Sequence, residues 1–115
     1  MREIYHENFE DRVFNGDVAH KVSSILETHN PRNGWKAGQI SYHVGERETN
    51  LTIPLSKYDE PLEEMVETFT VENNKVNEKI SMLAQDGYSE IQRVPSGNKT
   101  IVVATKPYTR RYGSR

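Results

Sequence analysis

The chain has 115 residues, of which 34% are hydrophobic and 28% are charged, so it can form one domain with a single core. It contains no cysteine, which excludes disulfide bonds and thiolate metal sites. No segment reaches the roughly 18 consecutive apolar residues of a membrane span, and the first residues do not have the pattern of a signal peptide. We therefore predict a cytoplasmic protein, and a protein that acts in the cytoplasm of a host cell would have the same pattern.

Charge is distributed unevenly along the chain, although the formal net charge is only −2. Residues 1–56 hold 8 acidic and 6 basic residues, residues 57–90 hold 9 and 3, and residues 91–115 hold 6 basic residues and no acidic one. The three segments therefore carry −2, −6 and +6. This separation favours either binding of an anionic partner by the basic end or pairing between copies of the chain. We predict a homo-oligomer, a dimer or larger.

The first elements in chain order are a short strand or irregular arm and then a helix. Apolar residues before the Asn15-Gly16 turn have no clear period. Asp17 is a typical N-cap, and the apolar residues that follow recur at helical spacing until Asn30-Pro31 ends the pattern. This predicts a helix over 17–29. No internal repeat is evident before the basic end of the chain.

A hairpin is predicted after the loop "PRNGWKAG", since residues 40–44 and 50–55 alternate apolar and polar side chains on either side of a Gly45 turn. Pro54 cannot donate a backbone hydrogen bond to a neighbouring strand. It therefore places the second strand at an edge of the sheet, or the proline at the end of that strand.

A long helix over 60–86 is predicted next. Asp59 and Pro61, followed by glutamates, are typical of a helix start, and two apolar stripes follow at helical spacing. A continuous helix would be roughly 40 Å long, more than this domain can cover, so we predict that it contributes to a homodimer. Two alternatives stay open, because "TFTVENN" holds poor helix formers: a break near 71–74, or a polar step within the seam.

The last predicted element is a second hairpin. Pro95 to Asn98 have the chemistry of a turn, and residues 101–104 are consecutive and apolar, as expected of a central strand covered on both faces. The order helix, hairpin, helix, hairpin predicts an α+β fold with a four-stranded antiparallel sheet from two hairpins and two helices packed on one side. We predict one domain over 1–107 and a basic C-terminal tail over 108–115.

Catalytic and metal-binding motifs are weak in this sequence. There is no cysteine or Gly-x-Ser-x-Gly elbow, no His-x-x-x-His pair, and "GNKT" lacks the upstream glycine and the helix of a phosphate-binding loop. The neighbouring glutamates at 60–67 are typical of a solvated helix face. We therefore predict no enzyme activity, no cofactor and no metal.

Basic and aromatic residues occur together in two short segments, the loop near Trp35 and the end of the chain. Guanidinium and ammonium groups bind phosphate, and aromatic rings stack on bases. The predicted ligand-binding residues are Arg32, Trp35, Lys36, Lys106, Tyr108, Arg110, Arg111 and Tyr112. The alternatives are that Trp35 packs against the sheet and that the tail is solvated or pairs with the acidic helix of a neighbouring copy.

The junction "LAQDGYSEI" followed by "TIVVATK" resembles the helix, Gly-aromatic and hairpin ending of several small phage and bacterial domains. The predicted outline, two helices with a four-stranded antiparallel sheet and self-association, is similar to that of the phage-encoded Thoeris anti-defence sponges, which sequester cyclic ADP-ribose signals. This resemblance implies a protein that performs no reaction and removes a signalling nucleotide by tight binding.

The first functional hypothesis is therefore a non-enzymatic binding protein that sequesters a small phosphorylated nucleotide-type ligand, in the manner of an anti-defence sponge. The alternative is a protein–protein inhibitor or oligomeric interaction module that uses its acidic long helix. A further alternative, binding of single-stranded nucleic acid, is less favoured because the acidic segment would repel a phosphate backbone.

Overall fold

The computed structural model of the protein describes residues 1–108, which form seven strands and two helices. In chain order these are β1 (Glu3–Phe14), α1 (Val18–Thr28), β2 (Trp35–Ala37), β3 (Ser41–Val44), β4 (Glu48–Tyr58), β5 (Glu64–Glu72), α2 (Val76–Gln85), β6 (Ser89–Ser96) and β7 (Lys99–Pro107). Short 3₁₀ turns at Asn15–Asp17, Pro31–Asn33 and Asn73–Lys75 precede α1, β2 and α2. Within residues 1–108, neither helix is long and apolar enough to cross a membrane.

The strands form two separate antiparallel sheets. In the first sheet β4 is central, with β1 on one side and β2 and β3 in succession on the other. In the second sheet β7 is central, between β5 and β6. The prediction of a single four-stranded sheet with two helices on one side is therefore wrong, because two segments outside the predicted hairpins also pair as long strands.

The largest correction concerns the helix predicted over 60–86. Its first part, Glu64–Glu72, is strand β5, and only Val76–Gln85 is helical. Thr68, Thr70 and Val71 are β-branched and favour an extended backbone, and β7 supplies a partner for the whole of β5. The alternative of a break near 71–74 placed the boundary correctly but not the structure before it. The inference of a homodimer from an uncovered long helix falls with that helix.

Strands β1 and β4 also differ from expectation. β1 runs for 12 residues instead of forming a short arm, and β4 is central although it contains Pro54. The carbonyl of Pro54 accepts a hydrogen bond from the Gly38 N–H at 2.9 Å. Because the N–H and C=O of one strand residue point to the same side, the missing N–H of Pro54 faces residues 38–40, where β2 has ended and β3 has not begun. Pro54 therefore interrupts the strand that lies beside β4 instead of marking an edge of the sheet.

The two sheets are built from one repeated unit of strand, 3₁₀ turn, helix and two strands. His6 lies opposite Ser56 in the first sheet, and Glu64 lies opposite Pro107 in the second. Adding 58 to the number of the β1 residue and 51 to the number of the β4 residue converts the first pair into the second. The same two shifts convert each later β1–β4 pair, as far as Phe14 and Glu48, into a β5–β7 pair. The chain thus contains an internal repeat, and the sequence-based statement that it has none is wrong.

A side-chain hydrogen bond next to the 3₁₀ turn also occurs in both repeats. Thr49 Oγ1 donates to Asn15 Oδ1, and at the equivalent place Thr100 Oγ1 donates to Asn73 Oδ1, both at 2.7 Å. Few residues are identical between the repeats, and those that are lie mainly around the turn and in the helix: Val13 and Val71, Asn15 and Asn73, Val18 and Val76, Lys21 and Lys79, Ser23 and Ser81, Ile40 and Ile91, Thr49 and Thr100.

Helix α1 lies between the sheets, whereas α2 covers the far side of the second sheet. Residues of α1 share one buried cluster with both sheets: Val18, Val22 and Leu26 with Leu51, Ile53, Leu55, Val94, Ile101 and Val103. Val102 and Ala104 on the opposite face of β7 pack with α2. Residues 101–104 are therefore covered on both faces, which confirms the prediction of a central strand there.

The helix predicted over 17–29 is confirmed to within one residue at each end, since α1 spans Val18–Thr28. The side chain that caps its start differs from the predicted one. Asp17 lies at the N-cap position without a capping hydrogen bond from its side chain. Instead, Ser96 Oγ accepts a hydrogen bond from the Ala19 N–H at 2.9 Å. A residue of the second repeat therefore satisfies one of the free amides at the start of the helix of the first.

The outward face of the first sheet is polar at its centre, with the exposed Phe14 at the end of β1. On β1 it carries Glu10 and Arg12, and on β4 it carries Asn50, all of them exposed. By the repeat relation Asn50 corresponds to Ile101, which is fully buried against the first repeat. The equivalent faces of the two sheets thus differ in chemistry because only one of them is covered.

We expect Asn73→Ala to lower the free energy of unfolding by about 1–3 kcal/mol, because the buried hydroxyl of Thr100 loses its partner. Asn74→Ala is the matched control, since Asn74 is an exposed neighbour in the same turn, and we expect a change within about 0.5 kcal/mol. Urea unfolding followed by circular dichroism measures both. Equal effects of the two substitutions would contradict the role of Asn73.

Candidate functional site

A cleft of about 590 Å³ lies where the first sheet meets the edge of the second. One wall consists of residues 36–40 with Tyr42, and the other consists of residues 90–93 of β6. Its volume is within the range of roughly 300–1,000 Å³ that small-ligand sites occupy. Both walls lie at the edge of a sheet: the first contains the end of β2 and the residues after it, and the second is part of β6.

The two walls are equivalent segments of the repeat, and both leave the regular strand ladder at the same place. In the first repeat the chain is not in a strand over 38–40, and in the second the register shifts between Ser89 and Gln92. Adding 51 to a residue number on the first wall gives the equivalent residue on the second wall. Ile40 therefore corresponds to Ile91, and Tyr42 corresponds to Arg93. The cleft is therefore formed by two matching interruptions that face each other.

The side chain of Gln92 joins the two walls. Its Oε1 accepts a hydrogen bond from the Ile40 N–H at 2.8 Å, and its Nε2 donates to the Gly38 carbonyl at 3.2 Å. The primary amide thus replaces a peptide group of a neighbouring strand, and it satisfies backbone groups that the interruption at 38–40 leaves without a ladder partner. This bridge fixes the distance between the walls of the cleft.

Lys36 lies between two carboxylates on the wall of the cleft. Its Nζ donates to Glu64 Oε1 at 2.9 Å and to Glu90 Oε1 at 2.8 Å. Partial burial lowers the pKa of Lys36, but the hydrogen bonds and charges of Glu64 and Glu90 outweigh burial and raise it overall above its ordinary value of 10.5. Lys36 is therefore a permanent cation at physiological pH.

Glu90 reaches Lys36 from an unusual backbone conformation. Its φ is 49°, in the left-handed region, and it is the only residue other than glycine with a positive φ among residues 1–108. For an L-residue this conformation costs roughly 1–2 kcal/mol. The Glu90 side chain is 59% exposed, whereas that of Glu64 is 25% exposed. The carboxylate of Glu90 is thus the less firmly held of the two.

The cleft has a second cation, Arg93, on the wall opposite Lys36, and an aromatic ring, Tyr42, on the same wall as Lys36. Arg93 donates from Nη1 to Asn77 Oδ1 of α2 at 3.0 Å, and the Tyr42 ring is 45% exposed. Two cations, the Glu90 carboxylate and the Tyr42 ring therefore line a cleft whose remaining surface is formed by amide and apolar groups.

The two segments predicted to bind a ligand meet through Arg32 and Tyr108. The Arg32 guanidinium lies 4.1 Å from the centre of the Tyr108 ring, and its Nη1 donates to the Leu62 carbonyl at 2.7 Å. Glu63 lies 3.9 Å from the same guanidinium. Arg32 therefore holds the end of β7 and the start of β5 together, outside the cleft.

Trp35 and Lys106 likewise make contacts within the fold. The Trp35 ring packs edge-on against His29, with ring centres 4.7 Å apart, and against Tyr5. The Lys106 ammonium lies 4.8 Å from the centre of the Tyr88 ring. Tyr88 Oη donates to Glu67 Oε1 at 2.6 Å, and this hydrogen bond raises the pKa of Tyr88.

Among residues 1–108, Lys36 is the only predicted binding residue that lines the cleft. Arg110, Arg111 and Tyr112 lie outside the described residues. Tyr42, Glu90, Gln92 and Arg93 were missed. Comparison of residues 38–44 with 89–95 at a spacing of 51, where Ile40 matches Ile91, would have linked the two walls.

Neither metal chemistry nor a known family explains the cleft. Within residues 1–108 no group of three or more His, Asp or Glu side chains is placed to hold a metal ion. Comparisons with protein-family models, with curated proteins and with solved structures found no match. The chemistry of the site therefore follows from its own geometry.

We expect Gln92→Ala to destabilise the protein by about 1–3 kcal/mol, because the buried N–H of Ile40 loses its acceptor. Gln39→Ala is the matched control, since Gln39 is exposed on the facing wall. Urea unfolding curves of the two variants provide the comparison. A loss no larger for Gln92→Ala than for Gln39→Ala would show that the bridge does not join the walls.

The raised pKa of Lys36 predicts a pH dependence of stability. A cation whose pKa is raised by folding stabilises the fold fully below its ordinary pKa, here 10.5, and this contribution is lost as the pH rises through the folded-state pKa. We expect the stability difference between wild type and Lys36→Met to be constant at neutral and mildly alkaline pH and to shrink only as the pH rises above 10.5, measured by urea unfolding.

Lys75→Met is the control for this titration, because Lys75 is exposed in the turn before α2 and does not line the cleft. Its stability difference from wild type should stay constant over the same pH range. A constant difference for Lys36→Met as well would contradict the ionic role of Lys36.

Proposed function

We propose that the protein is a non-enzymatic binding protein that takes a small phosphorylated ligand of the nucleotide type into the cleft between its two sheets, in the cytoplasm. The observation that carries this proposal is the position of Lys36 and Arg93 on opposite walls of a cleft of about 590 Å³. The cleft is formed within one chain, so the proposal does not require an oligomer.

The lining residues match the chemistry of such a ligand. Lys36 and Arg93 are cations that bind phosphate oxygens. The half-exposed Tyr42 ring offers a face on which a base can stack, and Gln39 can exchange hydrogen bonds with a base or a sugar. Cationic and aromatic groups therefore line one cleft. The sequence predicted this combination of groups, but for a set of residues of which, within 1–108, only Lys36 lines the cleft.

The residues that line the cleft favour binding of a ligand over its chemical conversion. The cleft is not lined by histidine or serine within residues 1–108, and the chain has no cysteine, so the usual nucleophile and base pairs are not formed there. Lys36 is kept protonated by Glu64 and Glu90. A protonated amine has no free electron pair for attack on a carbonyl or phosphoryl group.

Sequestration of a signalling nucleotide is the biological role that we propose for this binding, and the charged cleft is what supports it. The outline on which the resemblance to the Thoeris anti-defence sponges rested, one four-stranded sheet with two helices, is not that of the structure. The alternative of an inhibitor acting through an acidic long helix loses its basis, because residues 64–72 form a strand.

Isothermal titration calorimetry with cyclic ADP-ribose isomers, cyclic oligonucleotides and adenosine 5′-monophosphate tests the proposal. We expect micromolar or tighter binding of at least one of these to the wild type. Lys36→Met and Arg93→Met should each weaken it by about ten-fold or more, which is the value of one charge-assisted hydrogen bond. Lys75→Met should leave the affinity unchanged. Failure of every phosphorylated probe to bind at tens of micromolar would overturn the proposal.

A further inference from the structure

The charges around Lys36 create a difficulty for any anionic ligand. Glu64 and Glu90 together carry two negative charges within 3 Å of one ammonium group, so this centre has a local charge of −1. An ammonium has three N–H donors, and two of them are already used. A phosphate that approaches Lys36 therefore meets net repulsion unless one carboxylate leaves.

We propose that Glu90 is a built-in competitor for the ligand: its carboxylate holds the position on Lys36 Nζ that the anionic group of the ligand takes, and binding exchanges one for the other. This inference rests on the function proposed above, because it concerns the same cleft. It assigns to Glu90 the control of affinity, and it assigns to the ligand an anionic group directed at Lys36.

Backbone conformation identifies Glu90, and not Glu64, as the carboxylate that leaves. Glu64 belongs to β5, where it pairs with Pro107, and its side chain is mostly buried. Glu90 lies in the interruption of β6, outside the paired register, with a φ of 49°. Release of Glu90 therefore moves an already exposed side chain into solvent, whereas release of Glu64 would move a mostly covered one.

The exchange also improves the electrostatics of the cleft. With Glu90 turned to solvent, Lys36 and Glu64 neutralise each other and Arg93 leaves the cleft with a net positive charge. Before the exchange the charges of Lys36, Arg93, Glu64 and Glu90 sum to zero, so a negative ligand gains an attraction that the cleft lacks while Glu90 is bound. The 59% exposure of the Glu90 side chain shows that solvent is directly accessible to its carboxylate.

Inorganic phosphate is the probe for this exchange, because it carries the anionic group without any other ligand feature. Titrations are followed in ¹⁵N–¹H correlation spectra of wild type, Glu90→Gln and Glu90→Gly. Glutamine keeps the size of the side chain without its charge, and glycine also accepts the left-handed backbone. Glu46→Gln removes one surface carboxylate outside the cleft and controls for net charge.

We expect both Glu90 variants to bind phosphate at least about five-fold more tightly than wild type, and Glu46→Gln to bind as wild type does. In the wild type, the amide signals of Lys36 and Glu90 should move together as phosphate binds, while that of Glu64 stays in place. Unchanged or weaker phosphate binding in both Glu90 variants, or no phosphate binding by any of the proteins, would overturn the exchange.

The calorimetric titrations described above separate this inference from the proposed function. If wild type binds a nucleotide but neither Glu90 variant gains affinity for phosphate, the competitor role is wrong and the binding function stands. If the Glu90 variants gain phosphate affinity and no nucleotide binds to any variant, the competitor role stands and nucleotide binding is wrong.

Discussion

Burial of α1 on two sides is the constraint on which the rest of the structure depends. A three-stranded sheet with one helix can cover only one of its faces, and the helix then keeps a face in water. Here Val18 and Val22 are fully buried because the second sheet docks against the helix of the first repeat. Burying side chains of this size stabilises by about 1.5–3 kcal/mol each. The two repeats therefore stabilise each other, and each of them alone would expose much of this cluster.

The cleft is a consequence of this docking. Pro54 interrupts the strand next to β4, β6 has its own interruption at the equivalent place, and the docking brings the two together. Gln92 then satisfies the backbone groups that regular strands would have paired. Irregular backbone is thus concentrated where the cleft forms, and it presents Lys36 and Glu90 to each other across the boundary between the repeats.

Elements determined by local pattern were predictable, and those determined by distant pairing were not. Helix α1 and the strand over 101–104 follow from spacing and from a continuous apolar run, and the structure contains both. Residues 64–72 have apolar side chains at helical spacing together with β-branched residues, and only pairing with β7 makes them a strand. In the cleft Lys36 could be identified from its type. The roles of Gln92 and Glu90 could not, because one depends on contact between sheets and the other on a backbone angle.

The polar centre of the outward face of the first sheet affects what can pack against that face. Sheet, helix, sheet and helix follow one another, so a further copy could in principle add its α2 to the open face and continue the series as a fibre. Ile101 makes the equivalent face of the second sheet suitable for a helix, whereas Asn50, Glu10 and Arg12 would have to lose their hydration to accept one. The desolvation of these three residues is therefore a free-energy cost that opposes head-to-tail stacking through this face.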